Sequence, residues 1–371
     1  MQTERNKVQI NERNYGIDLL RMVLMLMVVV LHVLGKGGIL DAVRLHTPNY
    51  YIAWLLEAAC LCAVNCYALI TGYVSCGRKY RVSPILMLSA QALLYSIGIS
   101  GIFWLTAQKS FSFGTFLDTF FPISRAAYWY LSSYAGLFLL MPVLNCAVHM
   151  FSPRQSGLFL FASFIAFSAA TTFFLEDPFI LNRGYSTLWL AYLYLIGAFI
   201  KKHHWETHLT KKNCLLSFAA SIIAAAGFRF LVAELAERSS ASSGLSNLMM
   251  FYTSPTIFFA GIALFLLFRQ IRPNKQMCKL IGMLSPAAFG VYLIHCHPYI
   301  FDYLGGKTAF LGESNPIRML LGILCISLCI YLPCLLIDYL RLKLFGLLRI
   351  KERFARLDSK LQAVISSEEI T

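Results

Sequence analysis

The stretch Tyr15-Gly16-Ile17-Asp18-Leu19-Leu20-Arg21-Met22-Val23-Leu24-Met25-Leu26-Met27-Val28-Val29-Val30-Leu31-His32 decides how the rest of the chain is read. It is apolar except at Asp18, Arg21 and His32, and about 20 such residues cross the hydrocarbon core of a membrane as a helix. Arg21 and His32 are eleven positions apart. That is a rotation of about 1100°, close to three turns, so both share one face about 16 Å apart. Asp18 stands one turn before Arg21 on the same stripe. Spanning a membrane requires none of the three, and ionisable groups at that depth mark a site or a pathway.

Composition supports the same reading along the whole chain: 58% of residues are hydrophobic and 13% are charged. A soluble domain carries about 25% charge, so this chain has too little polar surface to cover its apolar residues in water. The net charge of +14 does not point to nucleic acid, because the basic residues lie between and after apolar runs, where cytoplasmic loops collect Lys and Arg. The first apolar segment lacks a small-residue cleavage site and is expected to be a retained helix. Most cysteines lie inside apolar runs without a CxxC pair, as small packing residues do, and no metal site is expected.

The expected fold is an all-α integral-membrane bundle of about ten transmembrane helices. The predicted spans are 15–35, 50–73, 84–107, 126–148, 156–175, 187–200, 213–233, 250–268, 281–300 and 317–340. With the N-terminus inside, the even-numbered connections and both tails, from Arg5 and Lys7 to Lys360, hold 22 of the Lys and Arg residues. The opposite side holds eight: Lys36, Arg44, Lys109, Arg125, Arg183, Arg238, Lys307 and Arg318. That asymmetry predicts both termini in the cytoplasm. The aromatic stretch 108–125 is expected to be re-entrant or to lie along the interface, and the Ser-rich stretch 234–249 to be a flexible loop. Residues 1–345 then form the membrane domain and 346–371 a basic cytoplasmic tail, suited to an anionic inner surface.

Four runs resemble the membrane-bound acyltransferase family 3. They are Asp18-Leu19-Leu20-Arg21 followed by His32, Asn65-Cys66-Tyr67-Ala68-Leu69-Ile70-Thr71-Gly72-Tyr73, Tyr128-Trp129-Tyr130-Leu131 through Leu139-Leu140-Met141-Pro142, and Phe289-Gly290-Val291-Tyr292-Leu293-Ile294-His295. Thr71 stands where Ser is usual, which keeps the hydroxyl, and Ala126-Ala127 lacks the His many members carry before the Tyr-Trp pair. The resemblance implies an O-acetyltransferase of surface sugars, with acetyl-coenzyme A as a co-substrate from the cytoplasm and no bound cofactor.

The candidate catalytic set is His32, Arg21 and Asp18. A neutral imidazole can take the proton of an attacking hydroxyl. A guanidinium can grip the phosphates of the donor, with Asp18 orienting it. Following His32, Gly35-Lys36-Gly37-Gly38 lets the chain turn or move. Glu57 is an intramembrane carboxylate, expected to orient His32 or to pair with Arg229. Arg125, Trp129, Tyr130 and Tyr134 form an aromatic entry on which a sugar can stack. Tyr292 and His295, three apart, share a face towards the same cavity. Thr71, Gly72 and Tyr73 are expected on the donor side.

The expected partners are an acyl-coenzyme A donor, a surface glycan or lipid-linked oligosaccharide, and membrane lipid. The expected location is the cell membrane, crossed many times. Two rivals keep the same helices. One is a transporter using Asp18, Arg21, Glu57 and His32 as a relay, although no internal repeat or broken helix pair is visible. The other is a partner-binding subunit of a polysaccharide assembly machine.

Overall fold

A computed structural model describes residues 13–239 and 243–368; Arg5, Lys7 and Thr371 lie outside the described residues. Asn14 starts the bundle: its side-chain oxygen accepts from the amides of Gly16 and Ile17, so helix α1 (Tyr15–Leu34) begins as the apolar run does. Gly38, at φ +89°, turns the chain into the short α2 (Ile39–Ala42). Two hydrogen bonds tie the turn to Thr308. The Gly37 carbonyl accepts from the Thr308 amide at 3.0 Å, and the Thr308 hydroxyl donates to the Val33 carbonyl at 2.9 Å.

The second span is two helices, α3 (Pro48–Leu61) and α4 (Ala63–Ser75), broken at Cys62. Helices α5 (Ser83–Leu105), α6 (Phe113–Phe120) and α7 (Trp129–Met150) follow. Eight residues make α6 about 12 Å long, too short to re-enter, and it exposes Phe113 as an interfacial helix would. Next come α8 (Pro153–Phe164), a π-helical segment over Ile165–Ala170, and α9 (Thr171–Phe173). Helices α10 (Thr187–His203), α11 (Lys211–Ser239) and α12 (Pro255–Arg269) complete the middle of the bundle. Most of the expected 234–249 loop is ordered, because α11 runs on to Ser239 and a 3-10 helix covers Ser243–Met250; residues 240–242 lie outside the described residues.

Pro286 separates α13 (Lys275–Leu284) from α14 (Ala288–His295), and α15 (Pro298–Leu304), α16 (Pro316–Leu347) and α17 (Ile350–Glu368) end the chain. The expected boundary at 345 falls inside α16. The tail helix α17 folds back on the start of α5, where the Asp358 carboxylate accepts from the amides of Val82 (2.8 Å) and Ser83 (3.0 Å). Those are donors that a helix start leaves bare.

The fold is all-α, with no strand among the described residues. Nine helical stretches among the described residues are long and apolar enough to cross a membrane. The expected sixth span, α10, has 17 residues, about 25 Å. It nonetheless runs parallel to α7 along nearly its whole length. The Thr187 hydroxyl donates to the Ser133 carbonyl near one end of α7 (3.2 Å), and the Lys202 ammonium donates to the Val148 carbonyl near the other (2.6 Å). The central helix α10 is buried from Trp189 to Ile200, which is why the shortest span can sit in the middle. Helix α16 runs against α1, its Tyr331 hydroxyl donating to the Met22 carbonyl at 3.3 Å. The start of α1 and the end of α16 therefore lie at one end of the bundle.

Candidate functional site

The first helix carries the site. Its mid-section and far end, with Gly35 and Lys36 just beyond, wall a cavity of about 200 Å³ completed by α3, α4, α7 and α14. His32, Glu57, Tyr67, Trp129, Tyr130 and Tyr292 all line it. So do Tyr185 and Tyr252, which lie in loops and give no signal in the sequence beyond an aromatic at a helix boundary. Trp129 and Tyr185 pack at a tilt with centroids 4.4 Å apart, and Tyr185 and Tyr252 lie 5.0 Å apart. Asn65, the first residue of the second quoted run, fixes this corner. Its amide donates to the Tyr252 carbonyl (2.9 Å) and its oxygen accepts from the Trp189 indole (3.0 Å).

At the cavity wall His32 Nδ1 lies 2.9 Å from His295 Nε2, and His295 Nδ1 lies 2.5 Å from the Val291 carbonyl. A carbonyl only accepts, so the proton of a neutral His295 is on Nδ1 and its Nε2 is bare. His32 must then donate from Nδ1, which leaves the lone pair of His32 on Nε2. His295 is buried, whereas His32 is half-buried and lines the cavity. The Cys296 sulfur lies 3.5 Å from His32 Nδ1 and 3.3 Å from His295 Nε2. Phe301 packs its ring against His32 at 4.9 Å, and Lys36, over the same Phe301 ring, pairs with Asp302 at 3.5 Å.

Glu57 forms no hydrogen bond or close ion pair with either expected partner. The imidazole is held by His295, and Arg229 donates to Ser246 (3.1 Å) and Asn247 and lies over the Trp54 ring. The Glu57 Oε2 atom is enclosed without a hydrogen-bond partner. Arg125 is turned away into an exposed pair with Asp118 at 2.8 Å. Tyr134 stacks behind Tyr130, centroids 6.4 Å apart, and is not in the cavity wall.

At the other end of the stripe the buried Asp18 bridges two cations, Arg21 at 2.8 Å and Arg13 at 2.5 Å. The Arg21 side chain stays one-third exposed. Arg13 also reaches the Ser285 hydroxyl (3.3 Å), tying this cluster to the break between α13 and α14. The Thr71-Gly72-Tyr73 run has interior partners. The Thr71 hydroxyl donates to the Tyr67 carbonyl, Gly72 packs directly on the Tyr194 backbone, and the Tyr73 hydroxyl accepts from Arg269 (2.6 Å), which pairs with the buried Glu206.

Comparison with known proteins gives one family, described as "Acyltransferase domain", whose pattern matches residues 14–337. No curated protein matches, and no solved structure does. The match covers the cavity, the histidine pair and the Asp18–Arg21 stripe alike, and with it the chain belongs to acyltransferase family 3, as a multi-pass membrane member.

Proposed function

We propose that this acyltransferase is an O-acetyltransferase that modifies a hydroxyl of a cell-surface polysaccharide or its lipid-linked precursor, with acetyl-coenzyme A as donor. The observation that carries it is the relay Val291–His295–His32 at the wall of an aromatic cavity. Trp129, Tyr185 and Tyr252 offer flat faces to a sugar ring, and Glu57 offers a free carboxylate oxygen to its hydroxyls.

In this reading His32 Nε2 takes the proton of the sugar hydroxyl as its oxygen attacks the thioester carbonyl. His295 is a positioning residue: it keeps His32 in the tautomer that has a base on the cavity side and accepts a hydrogen bond from the imidazolium that forms. The Tyr292 hydroxyl accepts from the Tyr130 amide (3.4 Å), so its own proton is free for the oxyanion. When the C–S bond breaks, His32 returns its proton to the departing thiolate. No cysteine or serine nucleophile is needed.

Arg21 lies about 16 Å from His32 along α1, and Asp18 about 21 Å. That separation suits a donor whose phosphates rest at the end where the chain starts and whose pantetheine arm reaches up the bundle. That end faces the cytoplasm of the cell membrane if the basic residues set the orientation. The test is mass spectrometry of surface glycan from cells with and without the gene, together with acetyl transfer by the purified protein. Identical O-acetylation in both strains, with no transfer in vitro, would overturn the proposal.

A further inference from the structure

The cluster beside the cavity holds more than a relay. His32 Nδ1, His295 Nε2 and Cys296 Sγ form a triangle with sides of 2.9, 3.5 and 3.3 Å. A tetrahedral zinc ion, with Zn–N of about 2.0–2.1 Å and Zn–S of about 2.3 Å, sets its ligands about 3.3 Å apart for two nitrogens and about 3.6 Å for nitrogen and sulfur. The triangle meets those spacings after an opening of less than about 0.5 Å, within the reach of a side-chain adjustment. The outer support is also in place: a histidine that binds metal through Nε2 donates its Nδ1–H to a backbone carbonyl, as His295 does to Val291. Two imidazoles and a thiol select zinc-class ions over magnesium or calcium.

We propose that His32, His295 and Cys296 form a three-ligand site for zinc-class divalent cations beside the cavity, and that an occupied site turns the transferase off. On binding, the Cys296 thiol releases its proton to solvent and the sulfur bonds the cation as thiolate. The His32 Nδ1 lone pair also goes to the cation, so the single proton of a neutral His32 must sit on Nε2. That is the atom which faces the acceptor as the base, and with a proton on it His32 has no basic position left. Binding is a property of the three side chains alone; the inhibition rests on the proposed role of His32.

A second histidine cluster, His46 with Glu234 and Glu237, lies at the surface. Its two ring nitrogens face different carboxylates, Nδ1 to Glu234 at 3.4 Å and Nε2 to Glu237 at 2.6 Å. It therefore serves as the control.

The experiment uses the full-length protein, purified in detergent, washed with chelator and titrated with Co²⁺ as a coloured stand-in for Zn²⁺. Wild type and His46→Ala should both show a thiolate-to-cobalt charge-transfer band with the visible bands of a tetrahedral ion. Cys296→Ser should lose the charge-transfer band and bind Zn²⁺ at least about 10-fold more weakly; Cys296→Ala gives the same test without a new polar group. Zn²⁺ should inhibit acyl transfer by wild type. Against each variant's own metal-free rate, the inhibitory concentration should rise at least about 10-fold in both Cys296 variants. Absence of the band in wild type, or its persistence in both Cys296 variants, overturns the site. A wild type that binds cobalt through sulfur yet transfers acetyl at full rate with zinc bound overturns the switch. Absence of transferase activity under every condition counts against the proposed function instead, and the cobalt spectrum still decides the site.

Discussion

His295 accepts the Nδ1 proton of His32 across 2.9 Å, linking two positions that lie 263 residues apart in the chain. If His32 is the base, His32→Ala and His32→Gln should each lower turnover by about 10²–10⁴-fold while the protein stays folded. His295→Ala should lower kcat more than it raises KM for the acceptor. His295→Gln, whose side-chain oxygen can accept in place of Nε2, should recover part of the loss. Steady-state kinetics of the four variants checks this, and near-normal turnover in His32→Gln would reduce His32 to a structural group.

Arg21 and His32 are too far apart to touch one reacting bond, so their variants should separate. Arg21→Lys keeps the charge and loses the planar fork, and should weaken coenzyme A binding more than it slows bound-state turnover. His32→Ala should leave donor affinity nearly intact. Coenzyme A titration of the purified variants measures both. Equal affinity in wild type and Arg21→Ala would leave Arg21 as no more than a partner of Asp18.

The hydrogen bonds of Thr187 and Lys202 to opposite ends of α7 show α10 running the length of a spanning helix, as a tenth crossing would. Reporters fused before residue 1 and after residue 371 should then read the same side of the membrane, since ten crossings lie between them. Opposite sides would break the ten-crossing arrangement.

The hydrogen bond from His46 to Glu237, with the charges of Glu234 and Glu237 and against that of Arg238, holds the imidazole above its ordinary 6.5. A raised folded value adds stability that is complete below the unfolded value and fades as pH rises through the folded one. The stability lost in His46→Gln should therefore be largest near pH 6 and vanish towards pH 9, as read by thermal unfolding. An equal difference at both ends of that range would dismiss the link.

Gly197 of α10 packs against the Leu69 backbone of α4, and Gly72 of α4 against Tyr194 of α10. A methyl group at either place would overlap backbone atoms, and overpacking costs about 1–3 kcal/mol. Gly197→Ala and Gly72→Ala should each lower the thermal midpoint. Unchanged midpoints would show that α4 and α10 can move apart without cost.

The spans were legible because length and apolarity suffice to place them, and α10 was found at the right position despite its 17 residues. The breaks at Cys62 and Pro286 were not, since each span reads as one apolar run and packing decides where it bends. His32 was legible because an imidazole at membrane depth is costly. Its partnership with His295 was not, because periodicity places a side chain on a face but does not say which distant helix meets that face. Glu57 was expected to meet a charge, yet the fold gives Arg229 to an amide, a hydroxyl and an indole ring. Tyr185 and Tyr252 were hidden among aromatics that read equally well as an interfacial belt.

The cap that Asp358 places on the first amides of α5 joins residues 275 and 276 positions apart. During synthesis α5 is made early and waits with those donors bare until residue 358 has left the ribosome. The tail helix thus acts as a clasp that fastens only after the helices between have been made. Chains cut short anywhere before residue 358 would carry an open helix start that a quality-control protease can recognise.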